Sequence, residues 1–144
     1  TLREMGLPQV AGMVLIYPVL GANIDTPSYL RNANSPSLSR DEMIFYLGSF
    51  LGPEGGSSWR DPKALPNLAL DLTGMPPAFI TVAGHDPLHD DGVIFHNKLN
   101  AAGIAGELRE EPALAHSYMR ARHHAAVAME GFKAIIAALK RFGR

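Results

Sequence analysis

The chain has 144 residues, 47% of them hydrophobic and 19% charged, with a formal net charge of −1 and no cysteine. That length buries the core of one domain, and near-neutrality leaves no electrostatic footprint for nucleic acid or an anionic membrane. Without cysteine there is no disulfide, no thiol nucleophile and no cysteine-held zinc, although this fixes no compartment; no apolar run reaches the ~18 residues that span a bilayer.

In chain order, "TLREMGLPQVAG" opens the sequence without a methionine and reads as the tail of a helix entered midway. The chain is therefore expected to be a piece of something longer. Residues 10–20 contain a continuous apolar run, Met13 to Tyr17, rich in β-branched and aromatic side chains and stopped by Pro18. It is too short for an independent helix and predicts a strand buried on both faces, as in a parallel sheet. Residues 21–38 hold Gly, Asn, Pro and Ser and predict a loop. Ser39, with Glu42 three places on, forms a capping box. Behind it Met43, Leu47 and Phe50 recur at helical spacing with Ile44 and Leu51 flanking, and Gly52-Pro53 ends the helix. The core is the expected place for Phe45 and Leu47.

Residues 53–77 are punctuated by Gly55-Gly56, Pro62, Pro66, Gly74 and Pro76-Pro77, and predict an irregular excursion with short helical turns. Pro77 leads into a second buried strand, residues 78–83. Leu88, Gly92, Phe95, Leu99 and Ala102 then mark an amphipathic helix with Gly103 as its C′ residue. Residues 104–110 alternate less cleanly and carry charge, as an edge strand does. Ala128, Phe132, Ile135, Leu139 and Phe142 mark a closing helix; its basic end, Lys140-Arg141 and then Arg144, suits a helix C-terminus. Strand, excursion, strand, helix, strand, helix is the order of an α/β layer with a parallel sheet. It makes residues 1–144 one unit with an excursion at 21–77.

In open parallel sheets, ligands sit beyond the carboxyl ends of the strands. Asp86 lies just past residues 78–83 and His116 just past 104–110, so both fall on one sheet edge, on neighbouring strands. An aspartate that accepts from a histidine ring fixes its tautomer, and the histidine then acts as general base on a hydroxyl. Asp then His at the last two strand ends is the tail of the Ser, Asp, His order of α/β-hydrolases.

The stretches "LIYPVL", "DTPSY", "LTGMPPAFITVAGHDPLHDDG", "LNAAGI" and "ALAHSY" carry a resemblance over nearly the whole chain. Together they resemble the C-terminal half of the hormone-sensitive-lipase-like esterases, α/β-hydrolases that cleave carboxylic esters, often short-chain ones. The resemblance implies the C-terminal portion of an α/β-hydrolase, a parallel sheet with flanking helices, the N-terminal half with its nucleophile missing. The Asp of the family's G-x-D-P-L motif is the triad acid and corresponds to Asp86. The family histidine, in an "HGF"-like motif, corresponds to His116, with Ser117 where glycine is usual. The family nucleophile sits in G-x-S-x-G. Of serines 28, 35, 37, 39, 49, 57, 58 and 117, only Ser57 and Ser58 have Gly two places before, and Trp59 and Arg60 stand two places after. The "HGGG" oxyanion loop is also absent from the sequence. The serine is therefore expected before Thr1, and the chain alone is expected to lack esterase activity. The resemblance implies no metal and no organic cofactor. Its implied partners are a small-molecule ester and either the N-terminal half of the same protein or a homodimer that covers the open edge of the first strand. The segment after that strand, residues 21–46, is expected to wall part of the substrate pocket, and the tyrosines and Trp59 are candidates to line it.

Other readings compete at each residue. Asp86 also suits the N-cap of a helix starting near Leu88, worth ~1 kcal/mol, with Asp90 and Asp91 serving the helix dipole. His116 alone reads as a surface-loop histidine. His85 and His89 lie four apart and, with Asp86 and Asp90, suggest a metal cluster, although the Asp86-Pro87 turn breaks the helical geometry between them. His123-His124, at the start of the last helix, read as solvated. At the level of the whole protein, the alternatives are a non-catalytic small-molecule-binding protein on the same fold and a metal-dependent α/β enzyme.

Overall fold

A computed structural model describes residues 5–143. Three parallel strands lie side by side in the order β1 (Met13–Ile16), β2 (Ala78–His85), β3 (Gly106–Ala115). Met13 stands opposite Ala78, and Ala78 opposite Gly106, so the strands start level. The excursion between β1 and β2 carries α1 (Pro27–Arg31) and α2 (Arg40–Leu51); α3 (His89–Ala101) joins β2 to β3, and α4 (Ala126–Phe142) closes the chain.

β2 takes the centre because its first six residues, "AFITVA", carry no charge on either face and all are buried. Successive side chains alternate across the sheet. Ala78, Ile80 and Val82 pack with Phe95 and Leu99 of α3, and Phe79 packs with Ile135 and Ala138 of α4. Each fully buried aliphatic or aromatic side chain stabilises by about 1.5–3 kcal/mol relative to exposure. The approach of α3 is set by Gly92, where a Cβ would stand 2.4 Å from Val82 Cγ1.

The excursion has a small core of its own. The capping box at Ser39 is formed in both directions, and Met43, Leu47 and Leu51 pack with Tyr29, Leu65 and Leu88. Leu47 is buried as expected, but Phe45 and Phe50 are not: they are 68% and 73% exposed. The buried stripe of α2 runs 43, 47, 51, and the flank that carries Phe45 and Phe50 is largely exposed. Anchors fasten the excursion to α3. The Asp91 carboxylate accepts from the Leu20 N–H at 2.8 Å and the Gly21 N–H at 3.0 Å. Lys98 Nζ donates to the Asn67 and Ala69 carbonyls, both at 2.6 Å.

Element boundaries differ from the sequence reading in particular places. The first strand keeps only the centre of residues 10–20, because Pro18 ends the ladder. Residues 27–31, expected as loop, form one helical turn with Pro27 at its start, where a missing N–H costs nothing. The third strand begins later and runs five residues further than 104–110, through Pro112. Proline demotes a strand in a sequence pattern but is tolerated on an edge strand. The helix tail expected at the start falls partly on residues 1–4, outside the described residues, as does Arg144; residues 5–12 hold a turn and non-helical chain. Among the described residues, no helix is long and apolar enough to cross a membrane.

Gly92→Ala is expected to push α3 off the sheet and lower stability by about 1–3 kcal/mol, the usual range for overpacking, read as a drop in the denaturation midpoint.

Candidate active site

The parallel sheet delivers β2 and β3 to the same edge. Past Ala83 the register jumps, so that His85 stands opposite Ala115. Gly84 permits this: a Cβ there would lie 2.3 Å from the Pro112 carbonyl oxygen. The longer β3 thus ends immediately before His116, and Asp86 follows β2 directly.

Asp86 and His116 are brought together. His116 Nδ1 lies 2.8 Å from Asp86 Oδ2. The other oxygen, Oδ1, accepts from the Leu88 N–H at 2.9 Å, so Asp86 holds the imidazole and the turn into α3 at once. Asp86 is not the N-cap of α3, which is Leu88 with no side-chain cap hydrogen bond; its Oδ1 instead closes the turn that precedes the helix. Asp86 is fully buried, whereas the His116 side chain keeps 19% exposure. A buried carboxylate that accepts from Nδ1–H leaves Nε2 as the ring's acceptor on the open side.

That open side borders a cavity of about 460 Å³. Its lining is almost wholly apolar: Val19, Leu38, Met43 and Leu47, with Tyr46 and Phe50 of α2, share it with His116. The expectation that residues 21–46 wall a pocket holds for Leu38, Met43 and Tyr46. Trp59 instead donates its indole N–H to the Gly52 carbonyl at 3.1 Å and supports the core of the excursion.

Tyr17, one of the tyrosines considered as pocket lining, instead packs its ring edge-on against His116, with centroids 4.6 Å apart and planes at 63°. It also meets Tyr118 at 5.4 Å, whose hydroxyl is hydrogen-bonded to Thr81 Oγ1 at 2.8 Å. Burial raises the Tyr17 phenol above its ordinary value, against the pull of Arg120 and with help from Asp86. Its place before Pro18, where backbone freedom is restricted, is a second sequence signal for Tyr17. Ser117 adopts the left-handed conformation, φ +61° and ψ +19°. Glycine takes that conformation without strain, which accounts physically for the glycine of the family pattern there.

The four side chains of the metal reading do not converge: only His89 and Asp90 meet. Asp86 commits both oxygens to Leu88 and His116, and His89 places Nδ1 3.0 Å from Asp90 Oδ1 and Nε2 3.4 Å from Glu110 Oε2. His85 is exposed at the end of β2. Among the described residues no group of three or more His, Asp or Glu side chains is gathered as a metal site would require. His123 and His124 are exposed. Asp90 and Asp91 both lie in the first turn of α3, but neither is a simple dipole partner. Burial pushes the Asp90 carboxyl up, and hydrogen bonds from His89 and Ser28 more than offset this, holding it below the usual carboxylate range. Burial pushes Asp91 up to about 6, against the pull of the Leu20 and Gly21 N–H groups.

A three-stranded parallel sheet flanked by helices, with an Asp–His pair where two neighbouring strands end, defines the α/β-hydrolase class. Residues 1–120 match the family model of the alpha/beta hydrolase fold. Carboxylesterase NlhH of Mycobacterium tuberculosis is 37% identical over 140 residues, covering 96% of this chain and 44% of the relative. Ethyl acetate hydrolase of Pseudomonas putida is 30% identical over 139 residues, covering 96% and 42%. Among solved structures, a bacterial heroin esterase superposes with a TM-score of 0.87 at 30% identity, over 99% of this chain and 46% of that one. The chain belongs to the hormone-sensitive-lipase-like esterase family of the α/β-hydrolases. It spans less than half the length of the curated relatives it matches.

Two outcomes follow from this geometry. Ser117→Gly is expected to relieve a left-handed residue and raise stability by up to ~1 kcal/mol, seen as a higher melting temperature. Asp91 has its carboxyl raised from 3.8 to about 6 in the fold, so the folded chain holds that proton more tightly than the unfolded one. The stability this group contributes is full at pH values below its ordinary 3.8 and is lost as pH rises through about 6. Denaturation at a series of pH values is expected to show that loss, and Asp91→Asn to remove it.

Proposed function

We propose that this chain supplies the acid and the base of a carboxylic-ester hydrolase that works by Ser-His-Asp chemistry. The serine and the oxyanion donors then come from outside these 144 residues. The observation that carries the reading is the 2.8 Å approach of His116 Nδ1 to a fully buried Asp86 carboxylate. Ser57 and Ser58 begin a single 3-10 turn between loops, and Ser117, which stands between β3 and a 3-10 turn, has Ala115 and Met119, not glycines, two places before and after it. Family membership and the names of the relatives, carboxylesterase and ethyl acetate hydrolase, support the same substrate class.

The steps follow from the pair's geometry. A serine hydroxyl attacks the acyl carbon as His116 Nε2 takes its proton. The buried Asp86 stabilises the imidazolium and keeps the ring oriented. The tetrahedral intermediate collapses, His116 returns the proton to the departing alcohol, and the acyl group stays on the serine. Water, deprotonated by the same Nε2, then attacks the acyl carbon; the acyl–serine bond breaks, His116 returns the proton to the serine oxygen, and the carboxylic acid leaves. The apolar cavity beside His116 takes an uncharged hydrocarbon part of the ester, for which its size and lining are suited. The partner of the chain is the nucleophile-bearing N-terminal half. β1 pairs with β2 on one side only among the described residues, and an open strand edge accepts another strand.

The isolated chain is expected to turn over a short-chain nitrophenyl ester at background rate. Rapid turnover that disappears when Ser57 or Ser58 is replaced overturns the outside nucleophile. Proton NMR of the isolated chain is expected to show a far-downfield His116 Nδ1–H resonance that Asp86→Ala abolishes. An unsubstituted chain without it overturns the pairing.

A further inference from the structure

The turn from β2 into α3 has its carbonyls answered from one place. Asn32 Nδ2 donates to the Gly84 carbonyl at 3.2 Å and to the Asp86 carbonyl at 3.0 Å. Ser35 Oγ donates to the His85 carbonyl, and Ser28 Oγ to the Pro87 carbonyl at 2.6 Å. Four successive carbonyls, 84 to 87, thus each receive a side-chain donor from residues 28–35. Two residues further on, Ser37 Oγ donates to the His116 carbonyl at 2.7 Å. One short segment of the excursion therefore holds both strand ends that carry the pair.

These contacts differ in what they can do for the fold. Asn32 is buried, and its amide answers carbonyls that would otherwise be costly to leave unmet. Ser37 is exposed, so water readily replaces its hydrogen bond and its net effect on stability is small. It grips the chain between the end of β3 and the left-handed Ser117. There a small backbone rotation swings the His116 ring away from Asp86, which is fixed by burial and by the Leu88 N–H.

We propose that Asn32 and Ser37 are positioning residues for the Asp86–His116 pair, the 32–37 segment acting as a clamp that sets the separation of the two strand ends. This rests on the pairing proposed above. The clamp touches neither the reacting atoms nor the pocket face of the imidazole; it acts on the main chain beneath them.

The test uses the isolated chain and the rate at which the downfield His116 Nδ1–H proton exchanges with water. Ser37→Ala is expected to speed that exchange about 2- to 10-fold, the effect of one ordinary hydrogen bond on a local opening, with the melting temperature unchanged. Ser37→Thr, which keeps the hydroxyl, is expected to restore the slow exchange. Ser39→Ala, which removes the α2 cap without touching either strand end, is expected to lower the melting temperature and leave the exchange alone. Asn32→Ala is expected to speed exchange further; if it does not fold, the Ser37 and Ser39 variants decide. Unchanged exchange in Ser37→Ala, or equal acceleration in Ser39→Ala, overturns the clamp while the pairing stands. A resonance missing from the unsubstituted chain removes both.

Discussion

A carboxylate with no exposure to water has to be answered on both oxygens. Asp86 is answered from two sides: the turn before α3 through the Leu88 N–H, and the imidazole that follows β3. Much of the local architecture follows from that. β2 and β3 must be neighbours and parallel, or their ends would not share an edge. The two strands must also exit at matching heights, although they enter level and differ in length. The register jump past Ala83 does this, and it needs a residue without a side chain where Gly84 meets Pro112.

The excursion between β1 and β2 is part of the same construction. Its apolar cluster includes Leu88 at the head of α3, and polar anchors fix it to α3 as well. Asp91 grips the chain as it leaves β1, and Lys98 grips it before it enters β2. Between those anchors lie α2 and its aromatic flank. Once α3 is placed by the packing of Gly92 on Val82, the wall of the cavity beside His116 is placed with it. Cavity wall and Asp–His pair are therefore coupled through a single helix.

Sequence patterns revealed what depends on local chemistry. The uncharged run of β2, the Ser39 capping box, the amphipathic spacing of α3 and the terminal position of Gly103 were legible; α4 buries Ala128 and Ile135 as expected, but Gly131 and Ala138 where the stripe had Leu139, which is exposed. So was the approach of Asp86 and His116 to one edge, which follows from parallel neighbouring strands; the register jump that levels their exits was not. The patterns missed what depends on partners distant in sequence. Phe50 fits a helical stripe that includes Met43 and Leu47, yet the stripe that packs runs through Leu51, because Tyr29, Leu65 and Leu88 stand on that side. Asn32 and Ser37 belong to an Asn- and Ser-rich stretch that reads as ordinary turn chemistry; only the fold shows that their donors reach across to residues 84, 86 and 116. The end of β3 was misplaced because Pro112 argues against a strand except at an edge.

Backbone strain marks the same place without reference to any motif. Among the described residues, only two non-glycine residues have positive φ, Tyr17 at +37° and Ser117 at +61°. They belong to different strand ends, β1 and β3, and converge on one side chain: Tyr17 lays its ring against His116, and Ser117 is the next residue along the chain. Conformations of this kind cost of order 1–3 kcal/mol and persist only where the surroundings over-determine them. Here the surroundings are the Tyr17 N–H bonded to the Thr81 carbonyl at 2.7 Å, the Tyr118 hydroxyl on Thr81, and the Asp86 carboxylate beneath the imidazole. A histidine needed only for packing would not require strain on both sides to aim its ring. That the two outliers flank the imidazole that is also paired with a buried carboxylate is a geometric argument for the site, and it is independent of family membership.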